Sequence, residues 1–132
     1  MAQRVGIDLT SVSAVRDAVA EHGDRYLRRV YTATELADCG GDAARLAGRF
    51  AAKEAAIKVL RPDASTPLPW TDIEVVREPG GHVELRLTGL AAEQAAREGL
   101  AEFSLSLTHE ADAACAVVIA TNGPVGTGET CR

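Results

Sequence analysis

The residues best suited to chemistry lie in one segment near the middle of this 132-residue chain. Between positions 45 and 61 there are five basic side chains and a single acidic one, Glu54. The basic ones are Arg45, Arg49, Lys53, Lys58 and Arg61. Positive charge this concentrated attracts a phosphate ligand, even though the chain as a whole carries a net charge of -5.

The segment has the composition of a long helix, and projecting it at about 100° per residue separates its faces. One stripe, predicted to face the core, is formed by Leu46, Phe50, Ile57 and Leu60. Lys53 falls in the middle of this stripe, and Glu54 lies on its shoulder with Lys58 one turn further on. Charges this close to a buried face need partners, because an unpaired charge out of water costs several kcal/mol.

Helix geometry alone also allows an interpretation without any chemistry. Lys53 could extend its ammonium to the surface along an apolar stem, and Glu54 and Lys58 could form an exposed pair worth about 0.3–0.5 kcal/mol. Asp8, near the start of the chain, could be a turn or capping residue. His109 could lie at a strand end without a function. Spacing by itself does not decide between these alternatives.

The first half of the chain is predicted to be mainly helical. Residues Arg4 to Leu9 are typical of a short strand ending near Asp8, and Ser11 or Ser13 can cap the helix that follows it. His22 and Gly23 end that helix. Three more helices are predicted, Asp24 to about Val30, Thr34 to about Cys39, and a long one from Asp42 to about Leu60 that Pro62 stops.

The second half of the chain is predicted to consist mainly of strands. They run from Trp70 to Val76, Val83 to Leu87, Phe103 to Thr108 and Cys115 to Ala120, with a helix from Gly89 to Glu98. The strand pairs are joined too tightly for crossover helices, which favours an α+β single domain with a mainly antiparallel sheet packed on the long helix. Residues 1–120 are predicted to form this domain, and residues 121–132, rich in Gly, Thr and Pro, are predicted to be a disordered tail.

Composition excludes several classes of function. A net charge of -5 argues against a protein that coats nucleic acid or an anionic membrane. The three cysteines form no C-x-x-C pair and cannot all pair within one chain, which fits a reduced, cytoplasmic setting. No stretch is long and apolar enough for a signal-peptide core or a membrane span.

Two motifs resemble those of a known family. Residues 49–58, with the sequence RFAAKEAAIK, resemble the motif R-F-[SA]-x-K-E-[SA]-x-x-K of phosphopantetheinyl transferases. Gly6-Ile7-Asp8 resembles the family's other motif, G-[ITV]-D, in the expected order and at the expected separation. Further similarity is found in residues 22–36, in the W-T-D-I-E string that begins at Trp70, and in Ser106 to His109, so that it covers about residues 4–120.

The small, holo-acyl-carrier-protein-synthase type is the branch that the chain resembles most. This resemblance implies transfer of 4'-phosphopantetheine from coenzyme A to a serine of an apo acyl carrier protein, with release of adenosine 3',5'-bisphosphate. It implies that Asp8 and Glu54 bind Mg²⁺ and that Lys58 contacts the phosphate and the departing group. The implied catalytic residues are therefore Asp8, Glu54 and Lys58. The implied coenzyme A contacts are Arg49, Phe50, Lys53, Lys58 and His109, with Lys53 on the pyrophosphate.

The resemblance also implies a homotrimer in which coenzyme A binds between neighbouring subunits. It leaves open whether Asp8, Glu54 or a metal-bound water takes the serine proton.

The chain departs from the family pattern at Ser11 and Ala14, where a glutamate and an arginine are usual. Because that arginine meets the acidic carrier, we expect a specialised carrier, for example of a polyketide pathway. The alternative is a module that binds a carrier or coenzyme A without catalysis.

Overall fold

The computed structural model describes residues 3–123 of the chain. Its strands are β1 (Gln3–Ser11), β2 (Ile73–Arg77), β3 (Val83–Leu87), β4 (Glu102–Glu110) and β5 (Ala113–Thr121). Its helices are α1 (Val12–His22), α2 (Asp24–Val30), α3 (Ala33–Cys39), α4 (Ala43–Leu60) and α5 (Gly89–Arg97). No helix in this part of the chain has the length and apolar character needed to cross a membrane.

The strands form two antiparallel sheets. The larger has the order β1-β5-β4, and the smaller is the hairpin of β2 and β3. The α+β class predicted from the sequence is confirmed, but the strands divide into two sheets where one was expected. Strand β5 is the centre of the larger sheet and pairs with β1 along all nine residues, from Gln3 opposite Thr121 to Ser11 opposite Ala113, and with β4 on its other side, whereas β2 and β3 pair with each other.

Helix α4 lies against the larger sheet and is buried over most of its surface. Small side chains make this possible, and Ala47, Ala51, Ala52, Ala55 and Ala56 are all fully buried. At Gly6 of β1 a Cβ atom would collide with the backbone carbonyl oxygen of Ala55. Glycine at this position therefore allows the strand that carries Asp8 to approach the helix that carries Glu54.

Two local expectations need correction. Asp8 lies inside β1 and not near its end, because pairing with β5 extends the strand to Ser11. The segment expected to be a strand from Trp70 begins as a short 3₁₀ turn, Trp70–Asp72, and the strand starts at Ile73. Pro69 precedes this turn, and the Trp70 carbonyl accepts a hydrogen bond from Lys53 and so is not part of a sheet ladder.

The predicted core stripe of α4 is only partly correct. Leu46 and Leu60 are buried, whereas Phe50 and Ile57 retain partial exposure. Thr121, the first residue of the predicted disordered tail, is the last residue of β5. The rest of that prediction, from residue 124 onward, lies outside the described residues.

Helix α1 is held at its start by a serine cap and an aspartate. The side chain of Ser11 accepts a hydrogen bond from the Ala14 amide at 3.1 Å, so Ser11 is the cap of the two candidates. Asp112, in the turn between β4 and β5, accepts bonds from the backbone and hydroxyl of Ser13, each at 2.8 Å. These bonds, with one from Ser11, lower the pKa of Asp112. Ser11, where the family resemblance leads one to expect a glutamate, thus serves to attach α1 to the sheet.

Candidate active site

Strand β1 and helix α4 bring Asp8 and Lys58 together. Alternation along β1 directs Asp8 toward α4, and its side chain is 19% exposed. The Lys58 ammonium donates a hydrogen bond to the Ile7 carbonyl at 2.7 Å and lies 3.5 Å from Asp8 Oδ1. Thr10 donates to the other Asp8 oxygen at 3.1 Å. Two motifs that are 50 positions apart in sequence therefore meet at one surface.

Glu54 lies one turn before Lys58 on the same side of α4 and completes this group. It is half-buried, and burial raises the pKa of its carboxyl, with the Asp8 carboxylate adding to the increase and Lys58 opposing it. Within residues 3–123 no donor is hydrogen-bonded to the Glu54 carboxylate. Two carboxylates and one ammonium therefore share a partly exposed surface, which we call the Asp8–Glu54–Lys58 cluster.

Lys53, expected on the pyrophosphate, is placed elsewhere. Its side chain is fully buried, and its ammonium forms an ion pair of 2.8 Å with the equally buried Glu35. It also donates to the carbonyls of Trp70 at 3.1 Å and Ile73 at 2.6 Å. Burial lowers the pKa of Lys53, and the Glu35 carboxylate opposes that shift. All three N–H groups have protein acceptors, so Lys53 has none left to offer a phosphate.

Arg49 and His109 lie together in a cleft of about 360 Å³ between α4, β4 and the β2–β3 hairpin. Arg49 is only 5% exposed, and its Nε atom has no hydrogen-bond partner in the described part of the chain. The cleft is lined by Ala44, Arg45, Arg49, Arg77, Gly81, His82, Val83, Leu105, Ser106, Leu107 and His109. Three arginines and two histidines face it without any acidic lining residue, and we call it the arginine cleft.

Sequence reasoning did not assign Arg77 and His82 to this cleft. Both lie near the turn of the β2–β3 hairpin, and the hairpin pairing of Arg77 with Val83 places them beside each other. A Pro-Gly-Gly turn with flanking basic residues was the available signal, but it did not indicate which surface the hairpin covers.

The arginine cleft and the Asp8–Glu54–Lys58 cluster lie on different sides of α4. Arg49 and Glu54 are five positions apart, so they project about 140° apart around the helix axis. A single copy of the chain therefore presents the two groups of charges on different sides of α4.

Phe50, the remaining predicted coenzyme A contact, packs against Trp70 with ring centroids 5.1 Å apart. A largely apolar cleft of about 570 Å³ lies beside this pair, lined in part by Ile57, Leu68 and Trp70. Ile57 lies about one turn after Glu54 on α4, but Asp8, Glu54 and Lys58 do not line this cleft. The role of Phe50 toward coenzyme A stays a prediction.

Comparison with known proteins identifies the family. The model of the 4'-phosphopantetheinyl transferase superfamily matches residues 4–118. A holo-[acyl-carrier-protein] synthase of Chloroflexus aurantiacus is 43% identical, covering 89% of this chain and 97% of the relative. One from Streptomyces coelicolor is 44% identical, covering 88% and 94%.

The fold agrees with this assignment. A crystal structure of Helicobacter pylori holo-[acyl-carrier-protein] synthase in complex with coenzyme A superposes with a TM-score of 0.81 at 27% identity, covering 89% of this chain and all of that one. The resemblance inferred from the two motifs is thereby confirmed. The chain belongs to the 4'-phosphopantetheinyl transferase superfamily.

Proposed function

We propose that this protein transfers 4'-phosphopantetheine from coenzyme A to a serine of an apo acyl carrier protein and releases adenosine 3',5'-bisphosphate. The observation that carries the proposal is the convergence of Asp8, Glu54 and Lys58 on one surface. Relatives that share about 40% of its residues over most of their length are named for this activity.

The reaction needs little covalent chemistry from the protein. The serine hydroxyl gives its proton to a base, for which Asp8, Glu54 and water are the candidates, and its oxygen attacks the phosphorus next to the pantetheine arm. The bond from that phosphorus to the bridging oxygen breaks, and the bisphosphate leaves with that oxygen. Negative charge builds on the departing bisphosphate, where the Lys58 ammonium, 54% exposed, is available to neutralise it. The Ile7 carbonyl fixes the position of that ammonium.

The carboxylates Asp8 and Glu54 fit a magnesium ion. Mg²⁺ is typically bound by one or two carboxylates, with substrate phosphates and water completing its coordination. Glu54 has no competing hydrogen-bond donor among the described residues, and within residues 3–123 no third His, Cys, Asp or Glu side chain joins the two carboxylates as a ligand. When bound, the ion would neutralise charge on the phosphate oxygens.

We propose that the arginine cleft binds the nucleotide end of coenzyme A, through Arg49, His109 and the additional residues Arg45, Arg77 and His82. The 3'-phosphate carries charge that the pyrophosphate site does not meet. A buried guanidinium with an unpartnered Nε, in a cleft without acidic lining residues, suits such a group.

Substitution of Arg49 by Met is expected to raise the KM for coenzyme A roughly 10- to 100-fold, because a hydrogen bond to a charged group is lost. The KM for dephospho-coenzyme A, which lacks the 3'-phosphate, should change little. Arg86→Met is the matched control, since Arg86 is exposed on β3 and does not line the cleft. Equal losses with both substrates would contradict the assignment.

We propose that the protein is a homotrimer with coenzyme A sites between subunits. The two charged groups that coenzyme A needs lie on different sides of α4, so a neighbouring copy can bring an arginine cleft to each Asp8–Glu54–Lys58 cluster. A surface for self-association is present on the outer face of the larger sheet, where Val5, Ile7 and Leu9 are 68%, 58% and 72% exposed. Ile119, opposite Val5, extends this apolar face.

We infer that the carrier is a specialised one, for example of a polyketide pathway, and that the protein acts in the cytoplasm. Ala14 lacks the positive charge of the arginine through which the family usually meets its carrier. Arg16 of α1, or the exposed arginines of α2, Arg25, Arg28 and Arg29, offer a substitute contact for an acidic partner. Cys39 and Cys115 are free thiols, in keeping with a reducing compartment.

The direct test is to incubate the protein with coenzyme A, Mg²⁺ and a panel of apo carriers and to weigh each carrier. We expect a gain of one phosphopantetheine group, fastest on a polyketide-type carrier. Equally efficient transfer to a fatty-acid carrier would refute the specialisation. Binding of carrier or coenzyme A without any mass gain would indicate a non-catalytic module.

A further inference from the structure

The buried Lys53–Glu35 ion pair has no part in the site assembled so far. Both side chains are fully buried, and all three N–H groups of the Lys53 ammonium are used by Glu35, Trp70 and Ile73. A charged pair without access to solvent is costly to keep, which calls for an explanation in terms of what it holds together.

Glu35 connects the pair to two further elements. The carboxylate oxygen that meets Lys53 also accepts a hydrogen bond from the Thr32 amide at 2.9 Å, which closes the capping box of α3. The other oxygen accepts from the Val75 amide at 2.8 Å, inside β2. One ion pair therefore joins α3, α4 and β2.

These elements border the reacting groups. Lys53 directly precedes Glu54 in α4, so fixing its side chain limits rotation of the helix that carries Glu54 and Lys58. The Trp70 carbonyl that it binds belongs to the residue that packs on Phe50 and lines the apolar cleft beside Ile57. A shift of the pair would displace both Glu54, the next residue of α4, and Trp70, which lines the apolar cleft.

We propose that Lys53 and Glu35 are positioning residues for the transfer reaction, which hold α3 and the Trp70–Ile73 segment against α4 and touch neither coenzyme A nor the carrier. This inference rests on the proposed function. It assigns Lys53 a role different from the pyrophosphate contact that the family resemblance implies.

A double-mutant cycle separates the two roles, because removing one partner leaves a buried unpaired charge whereas removing both charges does not. Lys53→Met and Glu35→Gln are each expected to lower the melting temperature on the order of 10 °C and kcat at least about 10-fold. The combined variant should regain most of the melting temperature but not of kcat, because no ion pair then holds α3 and the Trp70–Ile73 segment against α4. Its KM for coenzyme A should stay within about threefold of the wild-type value, as expected for residues outside the binding surface.

A combined variant that regains its melting temperature but shows a KM for coenzyme A raised as much as in Lys58→Met would overturn the proposal. If the proposed function itself were wrong, the wild-type protein would transfer no phosphopantetheine to any carrier, and this result would be distinct from any effect of the variants.

A second experiment uses only the wild-type protein and so does not depend on any variant folding. Lys53 and Lys58 are the only lysines in the chain, so an amine-reactive acylating reagent followed by peptide mass analysis reports on each of them. We expect rapid labelling of Lys58, protection of Lys58 by coenzyme A, and no labelling of Lys53 with or without coenzyme A. Labelling of Lys53 that coenzyme A suppresses would contradict the positioning role.

Discussion

Glu54→Gln is expected to slow phosphopantetheine transfer by roughly 10²- to 10³-fold, and Asp8→Asn by a similar factor. Each change removes a negative oxygen from the surface where Asp8, Glu54 and Lys58 meet. The reaction depends on neutralising and orienting charged phosphates, so an uncharged amide of the same shape cannot replace a carboxylate there. The rate of mass gain of an apo carrier measures the effect.

The stability of Glu54→Gln should change in the opposite direction to its activity. Burial and the Asp8 carboxylate raise the pKa of Glu54, so the folded protein disfavours the charged form. For an acid whose folded-state pKa is raised, stability falls as pH rises through that pKa, and glutamine removes this dependence. At neutral pH in the absence of divalent cations, the variant should therefore melt at or above the wild-type temperature.

The change in melting temperature on adding Mg²⁺ is a second test of the role of Glu54. Addition of Mg²⁺ should raise the melting temperature of the wild-type protein and leave that of Glu54→Gln unchanged, because a ligand that binds only the folded state stabilises it. Glu93→Gln, at an exposed position on α5, is the control and should leave transfer and the response to Mg²⁺ intact. Full activity of Glu54→Gln would show that transfer does not need the Glu54 carboxylate and would contradict the proposed site.

Coexpression of two impaired variants, Glu54→Gln and Arg49→Met, is expected to restore transfer to about a quarter of the wild-type level when subunits mix at random in a trimer. Each shared site takes its Asp8–Glu54–Lys58 cluster from one subunit and its arginine cleft from the next. One combination in four then unites two intact halves. Activity is measured at a coenzyme A concentration below the KM of Arg49→Met.

The control for this experiment pairs Glu54→Gln with Asp8→Asn. Both changes fall in the same half of the site, so no combination of these subunits is intact and activity should stay at the level of the single variants. If the first mixture also gave no more than the sum of its parents, both halves would have to act within one chain, and the proposed arrangement between subunits would be wrong.

Local signals were enough to predict most of the secondary structure. The bounds of α2, Asp24–Val30, and of β3, Val83–Leu87, agree with the prediction because glycine and the Pro-Gly-Gly turn mark nearby ends. Boundaries that depend on distant pairing were missed. Strand β1 extends to Ser11 because β5 pairs with it there, and that partner lies about a hundred positions away in the sequence.

The sequence by itself determined the family and the chemical groups available, since two short motifs contain the carboxylates, the lysines and the glycine that lets them meet. Only the tertiary structure decided what each charge does. Lys53 and Lys58 look equivalent in the motif, yet Glu35 and two carbonyls from the Trp70–Ile73 segment enclose the first, while the second reaches the surface beside Asp8. The reason is physical, because a buried ammonium must find acceptors, and those acceptors come from segments that only folding brings near.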